Sequence, residues 1–306
     1  MPRLIEHDDL ACHGLEACLD QLGCGFDPGN EDSLANAASA LKKLVNDRDF
    51  LGDLLIAQLK NRHREGGSDS GYGPQSIVLS PNRGGHFLRA NIWPSEDEAC
   101  FRASGAKTFV YGIPHDHNFS FLAAGYFGPG YRSDYYEYDY EAVAGYCGES
   151  AGLRFVERSA LETGKLMLYR AHLDVHAQLP PESLSVSLNV MHIDPAQGWH
   201  DQYGFDLDSN AVTGILNPTS TECFLRCAVA LGGEDALDFA EWTGRAHPSD
   251  RMRLASYEAR AGLLDMTGRD ALWREAEGAG NAMVAKEAAR RRAALEEAPK
   301  APAMLR

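Results

Sequence analysis

The 306-residue sequence lacks long apolar runs, and no stretch reaches the roughly 18 residues that a helix needs to cross a bilayer. Its seven cysteines include no Cys-x-x-Cys pair, which argues against a zinc ribbon or a thioredoxin-like motif. A P-loop and a Gly-x-Gly-x-x-Gly motif are also missing. The first residues turn acidic without the apolar stretch of a signal peptide. We therefore expect a soluble, cytoplasmic protein with reduced thiols and no membrane partner.

Basic residues are scarce, with 29 Lys and Arg against 44 Asp and Glu and a net charge of −15. A phosphate backbone needs a basic footprint, so this balance argues against nucleic acid as the main partner. From Thr219 onward 13 basic residues accompany 14 acidic ones, so almost all of the excess lies before that point. A substrate bound there is expected to be either cationic or a carboxylate that a local cation attracts.

A hydrophobic fraction of 44% indicates a globular chain of one large or two ordinary domains. Residues 1–75 are predicted to form a helical segment that ends in a linker. Apolar residues recur at helical spacing over 33–45 and 49–62. Four glycines and a proline then fall between residues 64 and 74, which is typical of a linker or an exposed loop.

Short β-branched or aromatic runs separated by turn residues fill residues 76–208. In the clearest run, Leu184–His192, apolar residues at even positions alternate with more polar residues at odd positions. We predict a mixed, mainly β fold with an antiparallel sandwich or barrel flanked by helical regions. The predicted strands are 76–80, 86–93, 107–111, 119–127, 135–140, 153–156, 165–169 and 184–192.

Residues 209–306 are predicted to be helical. Thr219 and Glu222 form a capping-box pattern, Ser249 is a predicted N-cap and Gly268 a predicted C-cap. These helices could cover the mouth of the β core or form a homodimer contact. The predicted helices run over 235–243, 250–266, 269–276 and 281–297.

The sequence Gly112–Phe121 contains the strongest chemical motif, His115-Asp116-His117. Side chains alternate along an extended chain, so the two histidines point to one side and Asp116 points to the other. Two imidazoles on one sheet face can bind one metal ion, and a third ligand would come from His172 or His176. Imidazole suits iron, zinc, copper and nickel, so the ligand type alone does not select the metal.

With these two histidine clusters, residues Ser76 to His192 resemble the cupin superfamily, which places a His-x-His and a later His inside a small β-barrel. Cupins usually continue to a Glu after the second His, but residues 119–124 contain no acidic residue. The sequence is therefore similar to the three-histidine branch typified by the thiol dioxygenases. That resemblance implies Fe(II) bound by His115, His117 and His176, with His172 as the alternative third ligand. Glu137 could still supply a carboxylate.

The same resemblance implies an arginine upstream of the His-x-His that holds a substrate carboxylate. Arg89 is the first candidate and Arg170 the second, because guanidinium binds carboxylate in a two-pronged way. Tyr136 and Tyr138 share one predicted strand face with Tyr140 and could line the pocket or donate hydrogen bonds to bound oxygen.

These observations predict a mononuclear non-haem Fe(II) oxygenase that uses O₂ to oxidise a small amino-acid-like or thiol-bearing molecule. Two alternatives stay open. One is a cupin that uses Zn, Mn or Ni for isomerisation or hydrolysis. The other is a non-catalytic binding or scaffold protein, which the helical region after residue 208 would favour.

Overall fold

A computed structural model describes residues 2–23, 25–65 and 75–297. The chain divides into two compact units, the first made of residues 1–140 and 151–210 and the second of residues 141–150 and 211–306. The predicted boundaries after residues 75 and 208 stay a prediction. Residues 66–74 of the predicted linker lie outside the described residues. None of the described helices combines the length and the apolar character that crossing a membrane requires.

Two antiparallel sheets form the body of the first unit. The larger has six strands in the order β1-β7-β4-β9-β3-β2, and the smaller has the order β6-β5-β8. The strands of this unit are β1 (Arg3–Ile5), β2 (Ser76–Val78), β3 (His86–Trp93), β4 (Phe121–Phe127), β5 (Arg132–Glu137), β6 (Arg154–Ala160), β7 (Leu166–Tyr169), β8 (Asp174–Leu179), β9 (Ser185–His192) and β10 (Tyr203–Asp206).

The described residues of the first unit also form helices and 3₁₀ turns, which are α1 (Leu15–Leu22), α2 (Glu31–Asn46), α3 (Phe50–Glu65), α4 (Ala99–Ser104), Ala106–Phe109 and Pro195–Trp199. Helix α2 begins after Asn30, whose side chain accepts a hydrogen bond from the Ser33 backbone N–H. Its apolar stripe, which includes Leu41 and Leu44, is buried over β4 and β9. The predictions of helices over 33–45 and 49–62 are confirmed.

The six-stranded sheet buries both of its faces. The even-numbered residues of β3, β4, β7 and β9 are mostly aliphatic and pack with α1 and α2 in one core. The odd-numbered residues point the other way, into a second cluster that is rich in aromatic rings and also includes Tyr135 of the smaller sheet. The alternation predicted for Leu184–His192 is therefore confirmed, and its more polar face is the one that faces the space between the sheets.

Three expectations about this unit need correction. The predicted strand over 107–111 is a 3₁₀ turn, because the chain reverses at Val110, where φ is 63°. The aromatic side chains there pack on Phe101 instead of alternating across a sheet. The described strands form open sheets, without a hydrogen-bonded ring that would close a barrel. Helices also hold more of the described residues than strands, so the fold is mixed rather than mainly β.

The second unit is mainly helical. It contains the short strand β11 (Ala211–Ile215) and the helices α5 (Ser220–Leu231), α6 (Glu234–Ala246), α7 (Asp250–Ala261), α8 (Met266–Glu277) and α9 (Ala282–Glu297). The capping box of Thr219 and Glu222 and the N-cap at Ser249 are confirmed. Gly268 as a C-cap is wrong, because α7 ends at Ala261 and Gly268 lies inside the first turn of α8, where its N–H bonds the side chain of Asp265.

Candidate metal centre

The three histidines that the sequence singled out meet between the two sheets. His176 lies on β8, and residues 114–117 run beside it as an extended segment. His115 and His176 exchange both backbone hydrogen bonds, with N···O distances of 3.1 and 3.0 Å. On its other edge the segment bonds β10 through Asp116 N–H to Tyr203 O and Phe205 N–H to Pro114 O. The side chains of His115, His117 and His176 point to one side.

The Nε2 atoms of these imidazoles converge. His176 Nε2 lies 3.1 Å from His117 Nε2 and 3.3 Å from His115 Nε2, and the ligand atoms of all three lie within 4.8 Å of one another. Nitrogen ligands about 2.1 Å from one ion lie about 3.0 Å apart at right angles and about 3.4 Å apart in a tetrahedron. The two separations from His176 Nε2 fit both arrangements. Three imidazoles suit a first-row divalent ion such as Fe(II) or Zn(II).

The protonation of the three side chains also fits a metal site. Burial lowers the pKa of His115, His117 and His176, and for His117 the nearby His115, His176 and Arg89 lower it further. The imidazoles are therefore neutral near pH 7. His115 Nδ1 lies 2.7 Å from the carbonyl oxygen of Ile113, so the Nδ1–H donates there and leaves a lone pair on Nε2. This arrangement, a ring held by its other nitrogen, is the one that metal-binding histidines use.

The histidines line a cavity of about 210 Å³, which is smaller than the pockets that hold drug-sized ligands. Aromatic rings and uncharged polar groups dominate its wall, and among the described lining residues Arg89 is the one basic side chain besides the histidines. The lining residues are Gln75, Ser76, Arg89, Asn91, Trp93, Thr108, Val110, His115, His117, Phe119, Phe121, Tyr131, His176, Gln178 and Asn189.

Arg89 lines the same cavity as the three histidines. It lies on β3 directly opposite Asn189 of β9, and both face the cavity. After burial, His115 and His176, its positive charge also lowers the pKa of His117. The structure therefore brings together Arg89 and the three favoured histidines in one cavity.

His172, the alternative third ligand, lies apart from this group. Its backbone φ is 60°, and its ring contacts the rings of Tyr140 and His200. Burial, and then His200, lowers its pKa to about 4. Its contribution to the site is structural, because its N–H donates to the carbonyl of His117.

Glu137, the alternative carboxylate ligand, and Arg170, the second candidate for binding a substrate carboxylate, form an ion pair with each other. Arg170 bonds Glu137 at 2.9 Å and Asp174 at 2.7 Å. Neither Glu137 nor Arg170 lines the described cavity. Among the described lining residues there is no Asp or Glu, so the structure returns no carboxylate to the place of the missing cupin glutamate.

Tyr136 and Tyr138, the two tyrosines singled out as catalytic, do not line the described cavity either. Tyr136 is half-buried, and its ring contacts that of Phe155. The inward residue of β5 is Tyr135, because it pairs directly with His176 and paired residues face the same side. Its hydroxyl lies 2.9 Å from that of Tyr169. The sequence shows that side chains alternate along β5. It does not show the pairing of β5 with β8, which determines the face that points inward.

Tyr138 is buried on the reverse side of the histidine segment, where it holds Asp116. The Tyr138 hydroxyl donates to Asp116 Oδ2 at 2.6 Å, and the Tyr203 N–H donates to Oδ1 at 2.6 Å. Burial raises the pKa of Asp116 to about 7, although these hydrogen bonds oppose the shift. Asp116 therefore fixes the backbone between the two histidines, and its side chain points away from theirs, as predicted.

Four carboxamides of the cavity were missed from the sequence. Asn91 accepts a hydrogen bond from the Ser76 hydroxyl at 2.7 Å, and the other three are Gln75, Gln178 and Asn189. All three are buried, and their side-chain oxygens have no hydrogen-bond partner among the described residues. For Gln178 a signal existed, because it follows His176 by two residues and so shares its face in a strand. No comparable signal marked Gln75 or Asn189.

A second pattern in the sequence, Gly-x-Ser-x-Gly over Gly148–Gly152, has no catalytic geometry here. In α/β-hydrolases this pattern requires a sharp turn from a strand into a helix. Ser150 is exposed and forms an isolated β-bridge with Ala211, and no helix follows it. The pattern therefore does not form a nucleophile elbow.

No protein-family model matches the chain, and no curated protein matches it in sequence. Among solved structures, a protein of Ralstonia eutropha JMP134 to which a mannose-6-phosphate isomerase activity is attributed is 14% identical. The match covers 42% of this chain and 94% of that one at a TM-score of 0.23. Vicilin of Solanum melongena is 11% identical over 48% of this chain and 34% of its own, with a TM-score of 0.26. A DMSP lyase is 15% identical over 65% and 82%, with a TM-score of 0.25. Likeness at this level carries no argument about fold or function.

Proposed function

We propose that the chain is a cupin-type, mononuclear non-haem Fe(II) oxygenase that oxidises a small amino-acid-like or thiol-bearing molecule with O₂. The observation that carries the proposal is the convergence of three neutral histidine Nε2 atoms, 3.1 and 3.3 Å apart, at the wall of a small cavity. Three neutral ligands with no carboxylate match the three-histidine motif that the sequence resembles. His115, His117 and His176 would hold the iron.

The chemistry of the wall supports the proposed substrate class. Arg89 supplies a cation that can bind a carboxylate through two parallel hydrogen bonds. The buried carboxamide oxygens of Gln75 and Asn189 can accept hydrogen bonds from an ammonium or hydroxyl group. A cavity of about 210 Å³ limits the ligand to roughly the size of an amino acid. A zwitterionic amino acid would carry both the carboxylate and the cationic group that the charge balance of the sequence suggested as alternatives.

The residues that line the cavity would have different roles in the proposed reaction. Iron held by the three imidazoles would offer positions for substrate and O₂ side by side and let electrons pass between them. The neutral imidazoles bind the ion without first losing a proton. Arg89 orients the substrate carboxylate, which converts an encounter into a fixed geometry. Phe119, Phe121 and Trp93 exclude water from the reacting groups.

The test begins with metal content. Protein loaded anaerobically with Fe(II) and desalted is expected to retain one iron per chain by elemental analysis. His117→Ala is expected to lose that iron and all O₂ consumption while its circular dichroism spectrum stays unchanged. Tyr136→Phe, which alters an aromatic residue away from the cavity, serves as the matched control. Metal-free wild-type protein after loading would contradict the proposal, whereas turnover that persists without O₂ would favour the isomerase or hydrolase alternative.

A further inference from the structure

Among the described residues, the side chain of Gln178 is hydrogen-bonded to one of the three histidine rings, that of His176. Gln178 lies on β8 two residues after His176, so both side chains leave the strand on the same side, while Val175 and Ala177 leave on the other. Gln178 Nε2 lies 3.1 Å from His176 Nε2, the same distance that separates His176 from His117. The terminal group of Gln178 therefore lies as far from His176 Nε2 as two ligand atoms of one ion lie from each other.

The amide of Gln178 is also incompletely satisfied. Its side chain is 5% exposed, and its Oε1 is buried without a hydrogen-bond partner in the part of the chain that the structure describes. A buried carbonyl oxygen without a partner costs free energy, on the order of 1–3 kcal/mol. We therefore expect a hydrogen-bond donor or a metal ion to lie beside Gln178 Oε1.

The present contact cannot persist when His176 binds a metal. The amide N–H donates to the Nε2 lone pair of His176, and a metal ion needs that same lone pair. With the ion in place, the amide N–H would face a cation. The two ends of a carboxamide have nearly the same shape, so a half-turn of the amide brings Oε1 to the position that Nε2 occupies. This rotation removes the conflict and gives the buried oxygen a partner.

We propose that Gln178 is a fourth protein ligand, which binds the metal through Oε1 and replaces the carboxylate that the described cavity wall lacks. The inference rests on the metal centre of the proposed function. Because a carboxamide is neutral, the charge of the site stays that of the ion. A fourth ligand also reduces the positions open to substrate and O₂ in a six-coordinate site from three to two.

Asn189 and Gln75 are natural comparisons. They line the same cavity and also have buried oxygens without a partner. In the described region, neither side chain is hydrogen-bonded to one of the three histidine rings, in contrast to Gln178. If substitutions at Gln178 and Asn189 lowered the metal affinity equally, a general effect of polarity would explain both. A loss of affinity confined to the Gln178 variant would indicate coordination.

The experiment titrates full-length, metal-free protein with Co(II) and follows the visible absorption of the bound ion, with competition by Zn(II) to measure the affinities. Gln178→Leu keeps the approximate volume but removes the oxygen, Gln178→Glu keeps an oxygen ligand, and Asn189→Leu is the matched control. We expect Gln178→Leu to weaken Co(II) binding about 10–100-fold and to change the Co(II) spectrum. Gln178→Glu should bind at least as tightly as wild type, and Asn189→Leu should differ by less than about threefold.

Three outcomes would overturn the inference: wild-type affinity and spectrum in Gln178→Leu, weaker binding in Gln178→Glu, or equal losses in Gln178→Leu and Asn189→Leu. Circular dichroism and thermal unfolding of each variant verify that it is folded. Wild-type protein that binds neither Co(II) nor Zn(II) would instead contradict the metal centre itself. The wild-type titration thus tests the proposed function, and the variants test the fourth ligand.

Discussion

The two faces of the six-stranded sheet are built for different purposes. Leu188 and Asn189 are neighbours on β9 and are equally buried, but they point in opposite directions. Leu188 packs with the helices in an aliphatic core, where closely packed apolar side chains need no hydrogen-bond partner. Asn189 faces the cavity, where its carbonyl oxygen is buried without a partner in the described region. Burial therefore stabilises one face, while the other keeps polar groups available for a ligand.

The largest expected effect comes from the aliphatic face. Leu188→Ala should reduce the free energy of unfolding by about 2–5 kcal/mol, because it leaves a cavity in a packed core. The number of iron ions per folded chain should not change. Urea unfolding and elemental analysis measure the two quantities, with Asn189→Ala as the matched variant on the opposite face. An equal stability loss in both variants would contradict the division between the faces.

The next effect concerns Arg89 and the recognition of carboxylate. Arg89→Met should weaken binding of L-cysteine about 10–100-fold, because a charged hydrogen bond contributes about 1.5–3 kcal/mol. Cysteamine has the same amine and thiol but no carboxylate, so its affinity should change less than about threefold. Both compounds serve as probes, and titration of Co(II)-loaded protein measures their binding. A parallel loss for both would assign Arg89 to packing or ion pairing instead.

A pH dependence of stability is also expected to arise from the cavity. The pKa values of the three cavity histidines lie below 6.5, and that of His172 is lowered to about 4. Each therefore binds a proton in the unfolded chain first, so stability is lost as the pH falls from 6.5 toward 4. Asp116 acts in the opposite sense, since its pKa is raised from 3.8 to about 7.

Four histidines outweigh one aspartate, so metal-free protein should lose stability on acidification, by about 1.4 kcal/mol per pH unit for each net proton. Urea unfolding at pH 7.5, 6.5, 5.5 and 4.5 measures this slope. Leu188→Ala should lower the whole curve without changing its shape, because the aliphatic face does not titrate. Stability that rises steadily between pH 6.5 and 4.5 would show that Asp116 dominates.

The sequence predicted most of the elements and the shared orientation of the paired histidines, because both depend on local patterns. His115 and His117 share a face through simple alternation, and the even and odd residues of Leu184–His192 separate as the pattern indicated. Which face is the inner one depends on pairing between distant strands, and only the structure supplies that register. For this reason Tyr136 and Tyr138 were expected at the site, although Tyr135 is the residue paired with His176.

The strand predicted over 107–111 failed for a related reason. Its aromatic residues have strand propensity, but the backbone at Val110 is left-handed, and Tyr111 forms an isolated bridge with Gln178 instead of a strand. Gln178 was missed although it follows His176 by two residues on the same strand, because its side chain is common and uncharged. Asn189 comes near the histidines only through the pairing of distant strands, which no local pattern encodes.

The smallest expected effect concerns residues 114–117, which carry two of the histidines. On the side away from the cavity this segment is held by a hydrogen bond from Tyr138, in contrast to the aliphatic packing around Leu188. Tyr138→Phe removes the hydrogen bond to Asp116 and should cost about 1 kcal/mol of stability. The pKa of Asp116 should rise further, because that bond favours the carboxylate. Metal affinity should fall only a few-fold, since the three histidines stay in place and only the backbone between two of them loses a support.

Tyr136→Phe is the matched control, because Tyr136 lies on the same strand-derived stretch but contacts Phe155 at a half-buried position. Its unfolding free energy should change by less than about 0.5 kcal/mol, and its Co(II) affinity should stay that of wild type. Loss of O₂ consumption in Tyr136→Phe with metal still bound would return that residue to the catalytic machinery. The contrast between two tyrosines two residues apart therefore separates support of the metal site from participation in its chemistry.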